Sequence, residues 1–194
     1  MDIATTCVGI RENRMRTKFF KLLVFTVMTF TIIGCEMQAD LKNTVEYRDS
    51  DISFTLPGNW NITKNVDNGG VRYLIIETSG EAILTLNIFP IEGSRPLKEF
   101  MENMVADMTN NFPFGKRNKG AIIEVETVVD GRIFKGYENQ FIVTLLGVEV
   151  PHLSYFYYQE SDSRVAYLSA QVVLEDIDKV QEGFELTLSS LKLQ

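Results

Sequence analysis

The apolar residues of this chain change their period three times, and those changes fix the class of fold. In Ile52-Ser53-Phe54-Thr55-Leu56 they alternate, which puts Ile52, Phe54 and Leu56 on one face of a strand. Val45 to Leu56 reads as one or two strands, closed by the turn Pro57-Gly58-Asn59 before Trp60. Asp67-Asn68-Gly69-Gly70 is a second turn, since Asn and Gly accept positive φ. Val71–Thr78 and Ala82–Phe89 are apolar on both sides over much of their length and belong in the middle of a sheet. From Pro96 to Phe112 the period lengthens. Leu97, Phe100, Met101, Met104, Val105, Met108 and Phe112 fall on one face of a helix, with Ser94 as its expected N-cap and Pro96 in its first turn. Strands resume at Ala121–Val129, Arg132–Tyr137, Gln140–Val150, Leu153–Glu160 and Arg164–Leu174. Their separators (Asp130-Gly131, Glu138-Asn139, Pro151-His152, Ser161-Asp162-Ser163) are short, so antiparallel hairpins are expected. A last helix, from about Asp176 to Ser190, carries the stripe Ile177, Val180, Phe184, Leu188 and Leu191. Strands, helix, strands, helix is the order of an α+β domain: a mainly antiparallel sheet with two packed helices.

Ahead of the domain stands Met15 to Cys35, MRTKFFKLLVFTVMTFTIIGC. Arg16, Lys18 and Lys21 form a basic segment, and the uncharged run Leu22 to Ile33 follows. These are the parts of an export signal, and the run is too short for a membrane-spanning helix, which needs about 20 residues. Ile32-Ile33-Gly34-Cys35 resembles the bacterial lipobox. The resemblance implies diacylglycerol on Cys35 Sγ, cleavage before Cys35 and acylation of the new amino group, with palmitate-type chains holding the protein to a membrane. Residues 1–14 add nothing to the signal, and Met15 is the expected true start. The expected organisation is therefore a leader over 1–34, the lipidated Cys35 and a tether over 35–44, and one domain over 45–194. Glu36 replaces the Asp that marks inner-membrane retention in enteric-type bacteria, which favours an outer membrane where the host has one. The destination is the cell envelope, facing the periplasm or the exterior.

The leader holds five basic and two acidic side chains, so the mature part is near −10 against −7 for the whole chain. Such an acidic surface disfavours nucleic acid and anionic lipid as general partners. The only cysteines are Cys7 and Cys35, so the mature domain has neither disulfide nor spare thiol.

The segment Ile52-Ser53-Phe54-Thr55-Leu56-Pro57-Gly58-Asn59-Trp60 resembles the opening of the Mog/PsbP/DcrB-like domains. The helix Leu97–Phe112 between two runs of strands, and the closing Phe184-Glu185-Leu186-Thr187-Leu188-Ser189-Ser190-Leu191, fit the same pattern. The resemblance implies an α/β/α sandwich around an antiparallel sheet, and a non-catalytic protein that binds other proteins. It supplies no shared catalytic residues to carry over.

The residues themselves point the same way. His152 is the sole histidine, so neither a His-rich metal site nor a supported Ser-His-Asp triad is available, and no cofactor motif appears. Glu124 and Glu126 share one face of a strand; they read as solvated, although paired carboxylates can hold Ca²⁺ or move protons. Met101, Met104 and Met108 read as core, and Tyr155-Phe156-Tyr157-Tyr158 puts aromatic rings on both faces of one strand. Lys116, Arg117 and Lys119 cluster in the loop Phe114–Gly120 of an acidic domain and are the expected partner-binding residues. The expected function is a non-catalytic envelope lipoprotein serving as a protein-binding or accessory module, anchored through lipid on Cys35. The alternative is a carrier of a small apolar ligand or lipid in a pocket between helix 97–112 and the sheet.

Overall fold

Strand β10 (Arg164–Val173) is buried on both of its faces, and the rest of the domain is arranged on either side of it. In the computed structural model, which describes residues 38–80, 82–113 and 115–194, β10 lies inside an eight-stranded sheet. Its neighbours on one side are β5 (Ile83–Pro90), β4 (Val71–Glu77) and the edge strand β3 (Asn61–Asn68). On the other side are β9 (Val148–Glu160) and β8 (Arg132–Leu145). Beyond β8, β6 (Lys116–Arg117) and β7 (Ala121–Val129) run end to end along its outer side. All of these pairings are antiparallel. A small second sheet pairs β1 (Val45–Arg48), β2 (Ile52–Leu56) and β11 (Lys192–Leu193).

The two-residue period of β10 separates two cores. Ala166, Leu168, Ala170 and Val172 point to one side, where they meet Val180, Phe184 and Leu188 of helix α2 (Ile177–Ser190) and Ile52, Phe54 and Leu56 of β2. Val165 and Tyr167 point to the other, against Leu97, Met101 and Val105 of helix α1 (Leu97–Asn110). One helix thus covers each face, and the expected α+β sandwich with two packed helices is the observed fold. Met101 is wholly buried; Met104 and Met108 are half-buried at the border of α1. Among the described residues no helix is long and apolar enough to cross a membrane.

Four local expectations are corrected. Asn61 to Asn68 is a strand that its polar sequence hides; it is an edge strand, and its side chains are mostly exposed. The segment 132–145 is a single strand, unbroken at Glu138-Asn139. Asn139 is completely buried there, with its side chain bonding to Lys119 O and Ala121 O. The hairpin turn falls at Leu146-Gly147, whose φ angles of 50° and 85° suit a two-residue turn, and Pro151-His152 lies inside β9. Pro151 is tolerated because it lies beyond the last β10 pair, Val173↔His152, where β9 has become an edge. Ser94 does not cap α1. Its N-cap position is Pro96, and the entering chain is held instead by the Tyr167 hydroxyl, which accepts from Arg95 N at 2.8 Å and donates to Arg95 O at 2.6 Å.

The expected tether is also shorter than 35–44. Ala39 N donates to Lys179 O in the first turn of α2, Asp40 N to Asn59 Oδ1, Gly58 N to Asp40 O, and Asn59 Nδ2 to Gln38 O, each at 2.9 Å. The chain is part of the domain from Gln38 onward. Cys35 and the leader lie outside the described residues.

This docking marks one end of the sheet, where β10 stops and α2 starts. The opposite end is closed by a buried ion cluster. Arg72 on β4 is enclosed by Asp49, Asp51 and Asp67 and by the Tyr47 hydroxyl, and Arg164 on β10 approaches Asp51 at 3.8 Å. The Asp49 carboxyl is held below its ordinary range, first by the Ser50 backbone N–H and then by Arg72.

Helix α2 sits so close to the β2–β3 turn that Gly183 has no room for a side chain. A Cβ there would lie 2.4 Å from Trp60 Cζ2 and 2.9 Å from Pro57 Cγ. Ala in place of Gly favours a helix by about 1 kcal/mol, whereas overpacking costs about 1–3 kcal/mol. Gly183→Ala is therefore expected to lower the urea midpoint; a raised midpoint would mean that the Trp60 contact yields easily.

Candidate functional site

The sheet has two free edges, and they are built differently. β3 pairs with β4 through a register shift between Ile62 and Lys64, and it carries Lys64 and Asp67. A bulge and charges are how edges discourage a further strand. β7 has no bulge, and its only charges are the two glutamates Glu124 and Glu126. Its register with β8 is unbroken from Ala121↔Gln140 to Val129↔Arg132, and its sequence, AIIEVETVV, is mainly β-branched and holds no Lys or Pro. Ile123 is 46% exposed and Val128 67%. Among the described residues no strand pairs with the outer side of β7.

A cleft lies just inside this edge on each face of the sheet. On the α2 side a cleft of about 240 Å³ is floored by Leu168, Ala170 and Phe184, walled by Tyr155 and Tyr157, and rimmed by Glu138 and Glu185. Tyr157 OH shares a hydrogen bond with Thr127 Oγ1 at 2.7 Å. Burial, reinforced by the charge of Glu138, pushes the Tyr155 hydroxyl up to about 12, so both tyrosines stay neutral donors at physiological pH. On the α1 side a cleft of about 390 Å³ runs between Leu97 and Tyr158, past Glu124 and Glu126. Glu126 is paired with Lys135 at 3.1 Å across an exposed surface. Glu124 and Glu126 thus sit on the solvated face expected of them.

The expected basic cluster is divided by the fold. Lys116 and Lys119 are exposed, in line with β7 along the outer side of β8. Arg117 turns inward and is only 5% exposed. Its guanidinium stacks on the Phe141 ring at 3.8 Å, donates to Thr109 Oγ1 at 2.7 Å and to Asn139 Oδ1 at 2.8 Å, and burial pushes its pKa down. The two-residue alternation of β6, unseen in a segment read as a loop, is what sends Arg117 and Lys116 to opposite sides. Arg117 is therefore a structural clip between α1 and the sheet, not a surface contact.

His152 stacks on Phe141 with ring centroids 5.2 Å apart, and its Nδ1 bonds to Val150 O. Among the described residues no carboxylate or hydroxyl is hydrogen-bonded to it. Among the described residues no three His, Cys, Asp or Glu side chains gather as a metal site requires. Between α1 and the sheet there is a cleft of about 290 Å³, lined by Ile83, Met108 and Phe112 with Thr85, Ser169 and Arg117. Ligand pockets run from about 300 to 1,000 Å³, and this open cleft lies just below that range.

Replacing Arg117 tests its placement. Arg117→Ala leaves Asn139 Oδ1 without its donor and opens a void beside Phe141, an expected loss of roughly 2–4 kcal/mol by urea unfolding. Lys116→Ala and Lys119→Ala are expected within about 0.5 kcal/mol of the parent. Equal, small effects at all three positions would return Arg117 to the surface.

No family model matches this chain, and no curated protein matches it. Several solved structures do. The solution structure of cyanobacterial PsbP (CyanoP) from Synechocystis aligns with 79% of this chain and 94% of that one, at 15% identity and a TM-score of 0.46. A crystal structure from Bacteroides thetaiotaomicron aligns with 82% of this chain and 49% of that one, at 9% identity and a TM-score of 0.44. LpqN, involved in cell envelope biogenesis of Mycobacterium tuberculosis, aligns with 78% of this chain and 90% of that one, at 12% identity and a TM-score of 0.35. No residue's role passes across likenesses of this kind.

Proposed function

We propose that this chain is a non-catalytic accessory lipoprotein of the cell envelope that binds a partner protein by accepting an extended segment along β7. The observation that carries the reading is the contrast between the two edges of the sheet. β3 is bulged and mainly polar; β7 is straight, mainly β-branched and, among the described residues, unpaired on its outer side. An added strand gains main-chain hydrogen bonds, and pockets for alternate side chains supply its specificity. The two clefts inside β7 lie on opposite faces, as alternate side chains of such a strand require. Lys116 and Lys119 at one end of the edge and Glu124 and Glu126 along it favour a segment that is acidic at one end and basic at the other. The export signal and the lipobox at Cys35 support the envelope and the lipid anchor.

The test is a crosslinking pull-down from the native membrane, with the Ile123→Lys/Val128→Lys double variant beside the parent. Both positions are exposed, so stability is expected to change by no more than about 1 kcal/mol in all, while lysines on an edge block strand addition. One stoichiometric protein, lost with the double variant, is the expected result. The same protein retained by the variant would remove β7 as its site. A second reading, the small-ligand carrier, draws on the cleft at Arg117; a small molecule bound stoichiometrically in native mass spectrometry, with no protein partner captured, would put that reading first.

A further inference from the structure

Ala39 is bonded to the first turn of α2, so the chain enters the domain at the end of the sheet where β10 stops. Three peptide links separate Gln38 from Cys35, and they reach at most about 11 Å when fully extended. A lipid on Cys35, as the lipobox implies, would be tied within that reach of Gln38, at this end of the domain and not at the Arg72 end.

At the same end the β8–β9 hairpin runs on past the end of β10. β10 stops pairing with β9 at His152, and β9 begins at Val148, four residues beyond. At about 3.3 Å per residue the hairpin extends some 13 Å past the end of β10. Its tip is apolar: Leu146 is 105% exposed, Val148 63% and Leu145 41%. Leu174 and Leu41 are also exposed at this end. Leu146 stands at φ 50°, a conformation that suits Asn, Asp or Gly and strains a leucine. The β7–β8 hairpin makes the same kind of turn at the far end of the sheet, with φ values of 50° and 76°, and it uses Asp130-Gly131 there. Two turns of one geometry thus carry a polar residue where they face away from the anchor and a fully exposed leucine where they face toward it.

We propose that the tip Leu145-Leu146-Gly147-Val148 is a membrane-contacting knob, seated in the headgroup region of the bilayer to which Cys35 is anchored. The proposal rests on the reading of Cys35 as lipidated. Three exposed aliphatic side chains at the point of a hairpin fit an uncharged lipid surface, and Glu149 beside them keeps the contact from depending on anionic lipid. The tip and the point where the chain enters at Gln38 thus belong to the same end of the domain, the end that faces the bilayer.

The experiment uses the full-length protein, expressed with its own leader and reconstituted in phosphatidylethanolamine–phosphatidylcholine vesicles with and without brominated acyl chains. Leu146→Trp and Asp130→Trp are compared; Trp60 is buried in both and supplies a constant background. The expected result is that the Leu146→Trp variant gains a blue-shifted emission that is quenched in the brominated vesicles, whereas the indole added by Asp130→Trp shows neither effect. Vesicle-bound Leu146→Trp protein whose added emission is unquenched overturns the knob and leaves the anchor standing. Quenching in both variants overturns the fixed orientation. A blue shift in the Leu146→Trp variant that brominated lipid does not alter places a protein on the tip and overturns the membrane assignment. Protein that fails to float with the vesicles and carries no diacylglyceryl mass on Cys35 overturns both the knob and the anchor.

Discussion

The domain depends on one strand that meets water on neither face. β10 carries alternate side chains into two cores, and neither helix could hold its place without that strand between them. A strand of this kind tolerates little. Tyr167 is fully buried, stacks on Phe100 at 4.1 Å and bonds both backbone groups of Arg95, so one side chain fixes the sheet, the start of α1 and the loop that feeds it. On the same face Thr85 and Ser169 share a buried hydrogen bond of 2.6 Å across the β5–β10 pair. Buried hydroxyls cost stability unless each finds a partner, and here each is the other's.

Burial at the centre leaves the rims for function. The Arg72 cluster closes one end, with Arg72 and Asp51 buried and Asp49 and Asp67 reaching solvent. The other end receives the chain entering at Gln38 and the longest hairpin. Between them run the two edges, one defended and one open. Neither the unpaired outer side of β7 nor the bare side chain of Leu146 contributes to the core.

The sequence makes the period changes legible, and with them the sheet, both helices and the order of nearly every element. Its misreadings share a cause. Glu138-Asn139 and Pro151-His152 look like turns because Asn and Pro usually break strands. Here Asn139 is buried as the acceptor for Arg117, and Pro151 lies where β9 is already an edge, and both facts belong to the tertiary structure. The true turn at Leu146-Gly147 is masked by its leucine. Arg117 is misplaced for the same reason: a two-residue strand is too short to show alternation, so three basic residues look alike although one is a clip in the core. That β7 is an edge follows from the path of the chain and from no local signal, although its nine-residue β-branched run without lysine is plain in the sequence.

An open edge raises the question of how a protein avoids joining to copies of itself. If two β7 strands met antiparallel about a twofold axis at Val125, Glu124 of one copy would lie opposite Glu126 of the other, and the reverse pair would repeat the conflict. Like charges facing each other across a ladder oppose the union, while a basic residue at either place relieves it. In that register two ordinary glutamates, spaced for a strand, set the edge against a second copy of itself.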